Sequence, residues 1–471
     1  MEGNRLDRSE TQNILNIIGK IADAEKVSLW AVGGFVRDKL LNIEVKDIDF
    51  AVEGNGPQFA CKVAEIFNTR NVTIFEKFGT AMVQVNDFKL EFVGTRKESY
   101  QQDSRKPIVT ESSLDDDLRR RDFTINAIAM GLNRENFEEL YDPLNGCDDL
   151  RRGIIRTPLD PVVTFKDDPL RIMRAVRFAT QLNFSIESKT YRAIKKMYPR
   201  LEIISQERIT DELMKMLDAS KPSAGFELLD SLGILTMILP ELAAMKGVEQ
   251  RAGYHHKDVF RHTLTVVDNV AAVNGSRELR FTALVHDIAK PATKRFVDGI
   301  GWTFHGHEEI GARMLPAACH RLKLPNSMMK YAQKLTRLHL RPIHLTEQGV
   351  TDSAIRRLLV QAEPNIDDLL TLCRADITSQ NPQRVKKFLG NFDRLVERIH
   401  QVEEKDRMRA FQSPVRGDKI MEVCKLQPGP KVGKLKKLIE EAILDGAIPN
   451  DYDAAYEYLL QIKDQALNDL D

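Results

Sequence analysis

The spacing of apolar residues changes character near residue 150, and this break constrains the 471-residue chain more than any other feature. Before it, short apolar or alternating runs are separated by turns. After it, helical spacing continues almost to the end, with Pro, Gly and Asn marking short connections. The expectation is an α/β head with a mixed or antiparallel sheet, followed by an elongated, mostly α-helical body. Within the head, 11–28 reads as an amphipathic helix with Ile14, Ile17, Ile18 and Ile21 on one face. LWAVGGFVRD is an apolar strand entering a Gly-Gly turn and a short helix to Leu41. Residues 45–52 alternate like a strand, 58–68 read as a helix, and 72–76, 80–86 and 88–94 read as a meander. This α/β region ends near Asp142-Pro143. No repeat of fixed period and no low-complexity tract interrupts the pattern.

Composition excludes several classes. With 42% hydrophobic and 29% charged residues the chain can bury more than one core, so it is not a disordered chain. Lys+Arg and Asp+Glu both number 69, so any site for a polyanion must come from local clustering rather than global charge. No apolar run is long enough to cross a bilayer, and the opening MEGNRLDRSE lacks the apolar stretch of a signal peptide. Five scattered cysteines without a CxxC fit a reduced, cytoplasmic protein with no membrane association. Histidine is distributed unevenly: residues 1–254 contain none, and nine of the ten fall between His255 and His344. The head's chemistry must therefore rest on carboxylates, arginines and metal.

Asp47 and Asp49, one residue apart on a predicted strand, place both carboxylates on one side of a sheet. A bare Asp-x-Asp is ordinarily a solvated edge. Here Gly33-Gly34 lies just upstream, where backbone without side chains can approach phosphates and offer N–H groups, and Arg37 follows with a guanidinium. Paired carboxylates suit Mg²⁺, whose oxygen preference extends to substrate phosphates. Further on, Asp168, Arg171, Arg174 and Arg177 recur every third residue as one polar ridge, with Leu170, Met173, Val176 and Phe178 on the buried side.

The stretch AVGGFVRDKLLNIEVKDIDF (31–50) resembles the first signature of the class II nucleotidyltransferases, the CCA-adding enzymes and bacterial poly(A) polymerases. DLRRRDFTINAIAM (117–130), followed by YDPLNGCDDL, resembles the second. FKDDPLRIMRAVRFATQLNF (165–184) resembles the third and ERITDELMKML (207–217) the fourth. Together they span about the first half of the chain in the family's order. The resemblance implies that Asp47 and Asp49 bind catalytic Mg²⁺ with Glu91 as a third carboxylate, and that Gly33, Gly34 and Arg37 hold a triphosphate. It implies that Arg121, Asp122 and Asn126 contact the incoming nucleotide. Asp168 and Arg171 would read the Watson–Crick edge of C or A, and Arg174 and Arg177 would meet phosphate. The substrates so implied are CTP, ATP and the 3′ end of tRNA; no protein partner is implied.

Two smaller features favour CCA addition over poly(A) synthesis. The stretch EKFGTAMVQV lacks the G-[KR]-[KR]-F element of many bacterial poly(A) polymerases, and RKESYQQDSRKP (96–107) resembles the flexible loop of full CCA enzymes, with Lys106 where a second Arg is common. Lys189, Arg192, Lys195 and Lys196 form one cationic cluster and Lys431, Lys434, Lys436 and Lys437 another, the expected RNA contacts. His262, His286-Asp287 and Asp376 follow the order of the HD superfamily, with His307 and His339 as further candidates and Lys290 able to reach a phosphate. That resemblance implies a second divalent metal (Mn, Ni, Fe or Zn). The expected divisions are a nucleotidyltransferase head (1–148), a helical base-recognition neck (149–245), an HD domain (246–385) and a helical tail (386–471). The rival readings are a poly(A) polymerase, a mainly HD-type phosphohydrolase of RNA ends with a relic head, and a non-catalytic RNA scaffold.

Overall fold

A computed structural model describes residues 3–76, 79–99, 108–111, 113–249, 258–346, 351–378, 381–410, 413–444, 447–449 and 451–468. His255, His256, Lys77, Phe78 and 100–107 lie outside these, and with them most of the segment likened to the flexible loop. The chain forms two compact units, Met1–Leu340 with Asp367–Thr378, and Arg341–Ile366 with Ser379–Asp471. The division falls inside the expected 246–385 segment, because Asp367–Thr378 groups with the first unit and carries Asp376 there.

In the first unit, helix α1 (Gly3–Glu25) buries Ile14, Ile18 and Ile21 and stops where Lys26 adopts a left-handed φ of 57°. Strand β1 (Leu29–Val32) enters the Gly33–Gly34 turn, and helix α2 (Gly34–Leu40) follows. Then come β2 (Asp47–Val52), helix α3 (Gly56–Ile66), β3 (Val72–Phe75), β4 (Thr80–Val85) and β5 (Phe88–Gly94). A separate hairpin pairs β6 (Arg96–Ser99) with β7 (Ile108–Glu111). Helix α4 (Leu114–Arg119), β8 (Ala129–Gly131) and β9 (Leu140–Tyr141) complete the head, whose seven-stranded sheet runs β3-β4-β5-β2-β1-β8-β9.

The sheet is mixed. β2 runs antiparallel to β1 and parallel to β5, in a register that sets Asp49 opposite both Val32 and Glu91. The meander expected over 72–94 is present as β3–β5. Alternation buries Ile48, Phe50 and Val52 on one face, leaving Asp47 and Asp49 on the other. Phe50 stacks on Phe92 at 4.7 Å between ring centroids, and Phe59 of α3 meets Phe92 edge-on at 5.5 Å. This aromatic core fixes the β2–β5 register that the acidic face needs.

Past the head, α5 (Gly146–Arg152) begins at a glycine that a side chain could not replace: a Cβ on Gly146 would stand 2.2 Å from the Thr124 carbonyl oxygen. Helices α6 (Pro161–Asp167), α7 (Leu170–Leu182), α8 (Ser188–Met197) and α9 (Gln206–Leu217) form the neck, with further helices beyond them. The second unit has its own core of Val415, Ile420, Leu435, Ile439 and Leu459. Among the described residues no helix is long and apolar enough to cross a membrane. Phe92→Ala should destabilise the head by about 3–5 kcal/mol, read as a lowered urea midpoint by circular dichroism. An unchanged midpoint would remove the aromatic stack as the register's anchor.

Candidate functional site

The head site is built around the end of β1. Val32 is the last β1 residue paired with β2, opposite Asp49, so Asp47 lies beside the Gly33–Gly34 turn on the same face. Gly33 has φ 76°, and a Cβ there would come within 2.9 Å of Arg121 Nη1 and 3.2 Å of Asp49 Oδ2. Glycine is therefore demanded twice, by backbone conformation and by space. Burial raises the Asp49 carboxyl above its ordinary range and the like charge of Asp47 adds to this, while Arg121 and Lys89 oppose it. Glu91 sits in register beside Asp49 on the neighbouring strand. An all-oxygen carboxylate set whose own repulsion resists ionisation fits a hard divalent cation such as Mg²⁺.

Arg121 is steered by Asp117, a residue absent from the sequence-based site. Asp117 is buried and accepts from Nε and Nη2 of Arg121 at 3.2 and 3.0 Å, and from Arg120 Nε at 3.0 Å. The two guanidiniums outweigh its burial and hold its carboxyl below the usual range.

The other arginines differ from expectation. Arg37 does not offer a free phosphate fork: Nε and Nη2 each donate to Asp38 at 2.8 Å, and Nη1 donates to Asn126 Oδ1 at 2.7 Å. Asp122 and Asn126 are buried with it, Asn126 Nδ2 donating to Asp122 Oδ1 at 3.0 Å. Asp122 Oδ2 takes Arg174 Nε at 2.7 Å and Nη2 at 2.6 Å. Arg177, 12% exposed, pairs with Glu212 of α9 at 2.5 Å, and Arg174 reaches the same carboxylate at 3.8 Å. The guanidiniums of Arg177, Arg37 and Arg174 lie 4.0, 4.8 and 5.3 Å from the centroid of the buried Phe178 ring. Arg174 and Arg177 thus face inward to tie α7 to the head and to α9. The period-three ridge marked their shared face and gave no sign that α9 covers it.

Asp168 and Arg171, the expected base readers, are held from behind. Asp168 Oδ1 accepts the Leu170 N–H at 3.1 Å, its Oδ2 lies 3.3 Å from Arg208 Nη2, and Arg171 Nη2 donates to the Arg120 carbonyl at 2.5 Å. Arg208 is a further residue that the sequence reading did not place. Lys189, Arg192, Lys195 and Lys196 are exposed on α8, opposite the buried Thr190, Ala193 and Ile194. In the second unit, helix Pro430–Leu444 exposes Lys434 and Lys437; Lys436 and Lys437 pair with Glu440 and Glu441 at 3.7 and 3.6 Å, so that charge is partly neutralised along the helix.

A second cluster gathers six groups: His262, His286, Asp287, His307, His339 and Asp376. Among the described residues, the sets of three or more His, Cys, Asp or Glu ligand atoms all within 4.8 Å of one another lie here. The head carboxylates share a face without such close approach. Each imidazole is oriented through Nδ1: His286 toward Ala283 O (2.7 Å), His307 toward Phe304 O (2.8 Å), His339 toward Thr336 O (2.6 Å) and His262 toward Thr378 Oγ1 (2.8 Å). Every Nε2 then faces the carboxylates, at 2.8 Å for His262–Asp376 and 3.3 Å for both His286–Asp287 and His307–Asp287. Burial depresses the His286 pKa, but Asp287 and Asp376 outweigh it and lift it to about 10; burial and the neighbouring His286 charge push His339 down to about 3. His286 Nε2 and Asp287 Oδ1 are buried without a hydrogen-bond partner. Unsatisfied nitrogen and oxygen atoms converging here fit a divalent transition metal, which would take the place of the proton on His286 Nε2.

The same segments match known families. Three family models match: "Poly A polymerase head domain" over 29–156, "Probable RNA and SrmB- binding site of polymerase A" over 183–246, and "HD domain" over 259–381. An A-adding tRNA nucleotidyltransferase of Deinococcus radiodurans is 31% identical over 432 residues, covering 90% of this chain and 93% of its own. A multifunctional CCA protein of Laribacter hongkongensis is 34% identical over 360 residues, covering 74% and 84%. A tRNA nucleotidyltransferase solved with a primer tRNA and an incoming ATP analog aligns with TM-score 0.58 and 25% identity, over 81% of this chain and 98% of that one.

Two outcomes test the assignments. Arg121→Gln removes the cation opposing Asp49 protonation, so the pH below which Mg²⁺ affinity falls should move upward in metal titrations; an unmoved break would separate Asp49 from the metal. Thr378→Val removes the partner of His262 Nδ1 and should weaken transition-metal binding about 10–100-fold against a chelating dye. Equal affinity would exclude His262 as a ligand.

Proposed function

For a chain that belongs to the tRNA nucleotidyltransferase and poly(A) polymerase family, we propose that the head adds C and A to the 3′ end of tRNA from CTP and ATP and releases pyrophosphate. The observation that carries this reading is the conjunction at Gly33: paired carboxylates on one side, Arg121 above, and open backbone between them. Asp47, Asp49 and Glu91 would hold Mg²⁺, which when bound would supply charge neutralisation at the α-phosphate and activation of the attacking 3′-hydroxyl. The Gly33–Gly34 backbone and Arg121 receive the triphosphate. Asp168 and Arg171 present one acceptor and one donor to the base, a pattern that suits C and A and leaves G and U unpaired. Arg37, Asp122, Arg174 and Glu212 hold the walls of this site rather than the nucleotide. Lys189, Arg192, Lys195 and Lys196 give the tRNA backbone a cationic face.

Addition of the terminal A alone is a second reading, favoured by the Deinococcus relative, which covers 90% of this chain. For the histidine cluster we infer a divalent metal and a phosphohydrolase that releases phosphate from RNA ends. Its support is the six-residue cluster with every imidazole turned inward.

Three tRNA transcripts, ending before C, after CC, or complete, incubated with Mg²⁺ and labelled CTP and ATP, distinguish the readings. Stepwise growth that stops at CCA is expected, and Asp49→Asn should lower the rate about 10²–10³-fold or more. ATP addition only after CC would establish the A-adding reading, and long A tracts would establish a poly(A) polymerase.

A further inference from the structure

Between the cluster ligands Asp287 and His307 the chain makes a small excursion. Lys290 Nζ pairs with Asp287 Oδ2 at 2.5 Å, and strand Arg295–Val297 then pairs antiparallel with Gly301–Thr303, with Phe296 directly opposite Trp302. Phe304 ends the excursion: its carbonyl accepts from the ligand His307 and its ring lies 5.8 Å below Lys290 Nζ. The hairpin is therefore tethered at both ends to the metal cluster. Trp302 is only two residues, about 7 Å of extended chain, from Phe304.

Its surface is unusual. Phe296 is 55% exposed and Ile300 is 74% exposed, although a two-stranded hairpin gains nothing in stability from rings left in water. The Phe296 ring is not loose: Trp302 supports it edge-on, with centroids 5.2 Å apart and planes at 77°. Lys294 Nζ covers the Trp302 ring at 4.2 Å. Arg295 adds an exposed cation beside the half-buried Lys294, against Asp298 at the turn, while Lys290 is largely covered and paired with Asp287. A rigid aromatic face flanked by cations, on the rim of a phosphate-hydrolysing centre, has the composition of a base-stacking platform.

We propose that this hairpin is a binding subsite for an unpaired RNA base, with Phe296 as the stacking face, Trp302 as its buttress, and Lys294 and Arg295 for the adjoining phosphate. The proposal rests on the phosphohydrolase reading of the histidine cluster only for what happens to the bound end. It selects a single-stranded terminus over a small phosphoester, because only the terminus offers a base to the platform.

Fluorescence tests binding apart from hydrolysis. The chain has two tryptophans, so the difference between wild type and Trp302→Phe reports Trp302 alone. A short unstructured oligoadenylate should quench that difference signal, while an abasic strand of equal length and charge should not. Phe296→Ala, an exposed substitution, should weaken the base-bearing strand about tenfold or more, and Phe296→Tyr should restore it. On the metal-loaded protein, Phe296→Ala should raise KM for a 3′-phosphorylated oligoribonucleotide without changing kcat, metal content or turnover of glycerol phosphate. Equal quenching by the abasic strand, or an unaltered affinity in Phe296→Ala, would overturn the platform. Quenching without any metal-dependent hydrolysis would leave the platform standing and defeat the phosphohydrolase reading instead.

Discussion

The Asp122 carboxylate is the joint on which the head and neck depend. It is buried, so desolvation works against its charge, yet Arg174 and the Asn126 amide outweigh that cost and keep it ionised. One oxygen faces Asn126 and through it Arg37 and Asp38 of α2; the other faces Arg174 and through it Glu212 of α9. Each charge in the chain is compensated by the next. Such an arrangement contributes little net stability over an apolar core, but it tolerates only one relative placement of α2, α7 and α9. The Phe178 ring adds to this by receiving three guanidiniums on its surface, which limits where their forks can point.

The two candidate centres solve different chemical problems with different donors. In the head, three carboxylates on a sheet face give oxygen only, and the neighbouring Gly33 leaves room for phosphates to complete the coordination. In the histidine cluster, four imidazoles are locked by hydrogen bonds on their outer nitrogens, so the inner nitrogens meet the buried Asp287 and the half-buried Asp376. Enclosure and mixed donors there favour a tightly held transition metal, while the open carboxylate face favours a cation that arrives with its nucleotide.

Much of the head was legible because strand geometry is periodic. Asp47 and Asp49 share a face on a rule of two, and the Gly-Gly turn after an apolar run locates the end of β1. Asp117, Glu212 and Arg208 were not legible as partners, although each lies in or beside a recognisable stretch. The importance of Glu212 and Arg208 comes from packing between segments about 35 to 40 residues apart, and that of Asp117 from burial, and a linear pattern encodes neither. The same limit explains Arg174 and Arg177, which spacing set on one face and which only Asp122 of the head and Glu212 of the covering helix turn inward. It also explains Arg37, whose partners Asp38 and Asn126 the Gly-Gly motif does not announce. His307 and His339 meet in the cluster because one opens the helix His307–Arg321 and the other caps the end of the helix Asn326–Leu338, which brings their Nε2 atoms to 3.3 Å.

A single short segment links the two ends of the nucleotide site. Residues Asp117 to Arg121 carry the carboxylate that steers Arg121 over Gly33, and the Arg120 carbonyl of the same segment accepts from Arg171. Arg171 is the proposed donor to the base, and Arg121 the proposed partner of the triphosphate. Under that proposal, a base that cannot accept from Arg171 would meet a side chain already anchored to the backbone that positions Arg121. Under the proposed function, misfit at the base would be felt at the phosphates without any long pathway, because both guanidiniums are referred to one turn of helix and the peptide that follows it. A site that read bases with side chains, as proposed, would need this kind of mechanical economy, since it would have no template strand whose pairing could report the error.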